Sequence, residues 1–150
     1  MDESGISRFC YCEYGRALRG TRVQGFVRGR RFARLNIIAG YCNVQIMGEY
    51  CYRGSTTAKV FEEWFCEFLL PEARPGDTII MDNARFHNKK QLRQYAEVHK
   101  VALVFLPPYS PDYNPIEHVW ANVKRFLRHY LLKFSSLSAA IYWYFAFAFS

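Results

Sequence analysis

Residues 35–41 and 44–50 are short runs rich in apolar and β-prone side chains, and they predict two strands. The Cys42-Asn43 step between them suits a tight hairpin turn. After Ser55 or Thr56, either of which can cap a helix, the period changes. Val60, Phe61, Trp64, Phe65, Phe68 and Leu69 recur at helical spacing, which predicts a helix to about Leu70, ended by Pro71 and Pro75-Gly76. Residues 78–81 read as a short buried strand. Asn88 can cap a helix over 89–100 with Leu92, Tyr95, Ala96 and His99 on one face. Residues 101–106 form an unbroken apolar run, the pattern of a parallel strand covered on both faces. Strand, helix and strand over 78–106 make a βαβ unit, for which a right-handed crossover is expected. Residues 107–111 read as an extended loop, and a long helix follows over about 115–132. Ser135 or Ser136 caps a final aromatic-rich helix that should dock on the core.

Composition changes this picture in three ways. At 150 residues and 51% hydrophobic content, one domain with a sizeable core is expected over residues 1–150. A net charge of +7 favours a polyanionic partner. Seven arginines lie between Arg16 and Arg34, punctuated by Gly20, Gly25 and Gly29, so that stretch reads as loop or short hairpins. The five cysteines form no C-x-x-C pair and read as reduced, mostly buried thiols. The acids after Met1 do not suit a signal peptide, and no run reaches the ~20 apolar residues of a spanning helix, so no membrane partner is expected.

The chemistry concentrates in acids on separate elements. Asp82 closes the apolar run of residues 78–81, and Glu117 opens the long helix after Asn114-Pro115. Asp2 stands at the start, in Met1-Asp2-Glu3-Ser4-Gly5. Carboxylates are the hard oxygen donors that Mg²⁺ prefers, and three of them on separate elements could build a two-metal phosphoryl-transfer site. Each acid also has an ordinary reading. Asp82-Asn83 is common turn chemistry. Asn114, Pro115 and Glu117 fit a helix capping box, a role compatible with metal binding.

Three segments resemble the catalytic domain of DDE transposases, in the mariner superfamily and its bacterial insertion-sequence branch. They are residues 2–5, Asp82-Asn83-Ala84-Arg85-Phe86-His87, and the stretch from Pro107 to Trp120. The resemblance implies an α/β, RNase H-like mixed sheet with flanking helices, with Asp2 on its first strand. It implies Asp2, Asp82 and Glu117 as catalytic metal ligands. Two Mg²⁺ ions, replaceable by Mn²⁺, would be bridged by Asp2, with Asp82 and Glu117 each holding mainly one. It implies DNA as partner, both transposon ends and target, and DNA cleavage followed by strand transfer.

Asn83 and His87 lie in the matched motif. His87 is a candidate for supporting Asp82 or meeting a substrate phosphate, against an ordinary role at a helix start. Candidate DNA contacts are Arg28, Arg30 and Arg31 in the arginine segment, and Lys124 and Arg128 one turn apart on the long helix. Lys89, Lys90 and Arg93 are a further basic cluster. Any of these can equally be a solvated basic face. Trp120 is expected to pack the helix on the sheet.

The chain departs from the family's pattern at its start. No helix-turn-helix domain is expected ahead of Met1, and the first strand is expected to be truncated to Met1-Asp2-Glu3. Three functions therefore stay open: an active transposase domain, alone or joined to other transposase subunits or an upstream-encoded DNA-binding half; an inactive remnant that still binds DNA or subunits; and an RNase H-like nuclease without strand transfer. The implied location is the nucleoid-associated cytoplasm of a prokaryote or the nucleus of a eukaryote.

Overall fold

The computed structural model describes residues 1–7, 18–20, 34–107 and 113–149. Arg28, Arg30 and Arg31 lie outside the described residues, as do Cys10, Cys12 and the loop 108–112.

The first strand is longer than expected. β1 (Asp2–Ser7) runs past Glu3 and pairs antiparallel with β2 (Arg34–Cys42), from Asp2 opposite Ala39 to Ser7 opposite Arg34. Ser4-Gly5 carries little strand propensity, so tertiary pairing decides here. A Cβ at Gly5 would meet only the Arg34 guanidinium, the flexible end of an exposed side chain that can move aside. β2 then pairs with β3 (Gln45–Tyr52), with an irregularity between Ile38 and Gly40. The hairpin turn is Asn43-Val44, one residue later than expected, with φ of 48° and 64°. Two successive positive φ values are the geometry of a type I′ turn, which matches strand twist, although a β-branched Val is strained there.

α1 (Ala58–Trp64) is capped by the Thr57 hydroxyl, which accepts from the Val60 N–H; neither Ser55 nor Thr56 is the cap. It continues through a π-helical turn (Phe65–Leu69) into the short α2 (Leu70–Glu72). Pro71 therefore does not end the helix. It sits in the first turn of α2, where a missing N–H is tolerated.

β4 (Thr78–Met81) and β5 (Ala102–Phe105) form a parallel pair around α3 (Lys89–Val98), whose cap is Asn88 as expected. α4 (Ile116–Tyr130) leads through a 3₁₀ turn (Leu131–Lys133) to α5 (Leu137–Ala148), capped by Ser136. No described helix is long and apolar enough to cross a membrane.

β2 is the divider of the core. Ile38 faces one cluster, built with Phe61, Trp64 and Phe65 of the first helix, Met81 of β4 and Leu92 of α3. Its neighbours Ile37 and Ala39 face a second cluster with Val119, Trp120, Val123 and Leu127 of α4 and Ile141 of α5. The two-residue strand period thus buries both faces of β2.

β4 and β5 are different. The expected double cover of β5 is not observed: Ile80 and Val104, opposite each other in the register, are each 44% exposed. Only their other face, with Ile79 and Met81, joins the core. The predicted burial of the cysteines also fails among the described residues, since Cys42 is exposed and Cys51 and Cys66 are partly so; all three are free thiols.

The two sheets share one core cluster, and a backbone hydrogen bond links them. The Met1 amino group donates to the Ile80 carbonyl at 2.8 Å. Across this junction the strand order reads β3-β2-β1-β4-β5.

Candidate active site

The junction between the sheets also gathers the acids. Asp2, the first residue of β1, is buried, and its Oδ2 accepts the Trp120 indole N–H at 3.2 Å. Trp120 and Glu117 are three apart on α4, hence on one helical face. Trp120 therefore does more than pack the helix on the sheet: it fixes the Asp2 carboxylate. Asp82 follows β4 directly and is half-buried, its Oδ1 accepting weakly from the Ala84 N–H at 3.4 Å. Glu117 is exposed in the first turn of α4. The three acids thus grade from buried to open.

The Asn114 capping box does not form. The residue before the helix is Pro115, and no side chain caps it; the Glu117 N–H bonds the Asn114 backbone carbonyl at 3.1 Å. The buried Asn114 amide instead donates to the Met1 carbonyl at 3.5 Å. Glu117 is accordingly free of the capping role and available to a ligand.

The Asp2 carboxyl senses the other two acids. The Asp2 pKa is raised from 3.8 to about 6, first by burial, then by the Glu117 charge, with a smaller push from Asp82. Glu3, on the opposite face of the strand, was missed by sequence reasoning. Burial, then Asp2 and Asp82, raise its pKa from 4.5 to about 8, and its Oε2 is buried without a hydrogen-bond partner. Its sequence signal is the strand alternation, which turns it to the face of β1 opposite Asp2.

His87 is held tightly. Its side chain is 0% exposed and stacks on Phe61, with ring centroids 4.1 Å apart. Nε2 lies 3.7 Å from Asp82 Oδ1. Burial lowers the His87 pKa more than the Asp82 charge raises it, so the ring is biased to the neutral form and 3.7 Å is too long for a strong hydrogen bond. This is a neighbour contact and not a firm ion pair. The burial also removes the expected phosphate contact, because a fully covered imidazole cannot meet a ligand. A position behind Asp82 is what remains. Asn83 is half-buried beside it.

The donors suit a divalent cation. Three carboxylates are hard oxygen ligands, and crowding them in partly apolar surroundings is costly, as the raised Asp2 pKa records. Among the described residues, however, no three His, Cys, Asp or Glu side chains close to the spacing of a metal's ligands. The acids face each other across a gap.

On α4, Lys124 is half-buried and Arg128 exposed, and neither forms an ion pair with a described acid. Lys89 and Arg93 stand over the Phe105 ring, at 5.4 and 5.5 Å from its centroid.

The chain is similar to several known proteins. Over 47 residues the chain is 40% identical to the Tcb2 transposable-element transposase of Caenorhabditis briggsae, which is 31% of this chain and 17% of that protein. Over 66 residues, 44% of this chain, it is 33% identical to the Tc3 transposase of Caenorhabditis elegans and 32% identical to the Tc1 transposase of the same organism. Those matches span 20% and 24% of the respective proteins. The structure matches that of the Mos1 transposase paired-end complex with left transposon end at a TM-score of 0.69 and 16% identity, covering 97% of this chain and 46% of that one. That likeness establishes the RNase H-like fold. The family model described as DDE superfamily endonuclease matches residues 1–139, and the chain belongs to this family of divalent-metal-dependent enzymes.

Proposed function

We propose that this chain is a transposase catalytic domain that cuts DNA phosphodiester bonds and joins the freed ends to a target. The observation that carries the reading is the placing of Asp2, Asp82 and Glu117, from β1, the end of β4 and the first turn of α4, around the junction of the two sheets. Family membership and the transposase relatives support it, although the chain spans only 17–24% of those relatives' length.

In this reading Asp2, Asp82 and Glu117 hold two Mg²⁺ ions, for which Mn²⁺ can substitute. Such ions supply a nucleophilic water at neutral pH and stabilise charge on the attacking and leaving oxygens. Trp120 holds the Asp2 carboxylate still through its indole N–H. His87, sealed by Phe61, sets the back wall behind Asp82, and Asn83 flanks it. Glu117, the exposed acid, closes the site from the helix side. The apolar cluster that includes Ile6 of β1 with Val119, Trp120 and Val123 of α4 backs the site on the helix side.

DNA is the proposed partner, both transposon ends and target. Lys124 and Arg128 on α4, with Arg28, Arg30 and Arg31, would meet phosphates and position the duplex without reading its sequence. Further transposase subunits are proposed as protein partners.

The test is cleavage of DNA bearing the element's ends. With Mg²⁺ or Mn²⁺ the chain should nick it, and Asp82→Asn should abolish nicking while binding is kept or strengthened, since a negative charge near phosphate is removed. Nicking by Asp82→Asn in the presence of a chelator contradicts the reading. Joining by a 3′-hydroxyl distinguishes a transposase from a nuclease. Replacing Arg28, Arg30 and Arg31 with Ala should flatten log K against log salt by up to ~0.9 for each phosphate that is no longer neutralised, and an unchanged slope removes them from the interface.

A further inference from the structure

On the face of β2 that carries Ile38, the next two positions toward the strand's start are Asn36 and Arg34. Opposite them on β1 stand Gly5 and Ser7, and Glu3 stands opposite Ile38. The apolar core therefore stops at Ile38, and a polar cleft of about 440 Å³ takes its place. Ligand pockets run from roughly 300 to 1,000 Å³, so a molecule of nucleotide size fits. Residues 54–56 form the far wall. Two hydrogen bonds pin that turn: the Asn36 amide donates to the Gly54 carbonyl, and the Tyr52 and Thr56 hydroxyls bond each other. The sheet thus holds the wall in place without a ligand.

Three groups in the cleft call for different partners. Glu3 Oε2 is buried and has no hydrogen-bond partner. Such atoms cost stability and are rare in native structures. Ionised or neutral, a carboxyl accepts from an N–H donor. The half-buried Phe86 ring supplies an aromatic surface. Arg34 is exposed at the mouth, its guanidinium over Gly5, and it forms no ion pair with a described acid. These groups together suit a ligand with a planar ring, N–H donors on the ring's edge and a negative charge. A nucleotide has all three. The cleft also lies beside the proposed catalytic acids. Glu3 follows Asp2 in β1 on the opposite face, and the Asp2 and Asp82 charges both act on its carboxyl.

We propose that this cleft is a nucleotide pocket, and that its occupant is an unpaired nucleotide of the bound DNA. Glu3 accepts from the N–H edge of the base, Phe86 stacks on its face and Arg34 meets its phosphate. The proposal rests on the transposase reading for its substrate. Its test uses no metal and no cleavage, so either can fail while the other stands.

The probe is dGMP, whose base presents neighbouring N–H groups. It is titrated into the whole chain with a chelator present and compared with deoxyribose 5-phosphate. dGMP should shift the Glu3 and Ser55 amide resonances saturably and bind at least about tenfold more tightly than the sugar phosphate. Ser55→Phe, which fills the mouth from an exposed position, should weaken dGMP binding at least about tenfold. Glu3→Leu should weaken it as much while Tm is kept or raised, since the unpartnered oxygen is gone. Equal binding of the two ligands would leave only a phosphate site at Arg34 and overturns the proposal. The absence of a saturable shift overturns it too, as does full dGMP binding by Glu3→Leu. Should Ser55→Phe fail to fold, Glu3→Leu and the ligand comparison decide the question.

Discussion

β2 and β4 read alike in sequence, as short apolar runs, yet they live in different surroundings. β2 is covered on both faces, with Ile38 in one core and Ile37 and Ala39 in the other. β4 is covered on one, leaving Ile80 open beside Val104 of β5. An apolar run thus reports that a strand is near a core, not how many layers cover it. What differs is the partner helices: α4 and α5 lie over the β1–β3 sheet, while the β4–β5 pair shares only the cluster built with α1 and α3. The candidate site straddles this boundary. Asp2 and Glu117 come from the doubly covered region, and Asp82 and His87 come from the singly covered one.

The sharpest way to break the comparison is to truncate one residue in each strand. Ile38→Ala should cost about 2–5 kcal/mol, because it leaves a cavity in a closed core. Ile80→Ala should cost about 0.5 kcal/mol, as expected of an exposed position. Urea denaturation of both variants checks this. Equal losses would mean that the open face of β4 is covered in solution.

Trp120→Phe probes the contact between α4 and β1. It keeps an aromatic ring at the position, though a smaller one, and removes the indole N–H that holds Asp2. A destabilisation of about 1–3 kcal/mol is expected, with divalent-metal affinity falling about 10- to 100-fold. If stability falls and metal affinity does not, Trp120 is a packing residue alone.

A pH-dependent effect is expected from Glu3. Its folded pKa of about 8 lies above the unfolded value of 4.5, so the folded chain holds a proton that the unfolded chain has released. Its contribution is present below about pH 4.5 and is lost as pH rises toward 8. His87 and the Met1 amino group have lowered values and act in the opposite sense, so the comparison must be made against Glu3→Gln. Relative to that variant, the Tm of the native chain should drop by several degrees between pH 4.5 and 8. Parallel profiles would mean that Glu3 is solvated.

Much of this fold could be read from the chain, and the reasons are local. The helical spacing of Phe61, Trp64 and Phe65, the Asn88 and Ser136 caps and the βαβ order of residues 78–106 all depend on near neighbours. The failures depend on distant ones. Ser4-Gly5 forms a strand because β2 pairs with it, and Pro71 stays in a helix because a π-helical turn precedes it. Asn114 forgoes its capping role for the Met1 carbonyl, 113 residues away in sequence. For the site, the motif residues indicated which acids to examine. The burial of His87 depends on the rings of Phe61 and Phe86 packed against it, which no motif records.

The central claim is that acids from both regions share one metal site. Mn²⁺ binding to the whole chain, followed by electron paramagnetic resonance at about pH 7.5, tests it without requiring cleavage. Asp2→Asn, Asp82→Asn and Glu117→Gln should each weaken binding at least about tenfold, and Asp77→Asn, which alters an acid at the far end of β4, should leave it unchanged. Binding that survives in Asp82→Asn, or that depends on only one of the three acids, would contradict the claim.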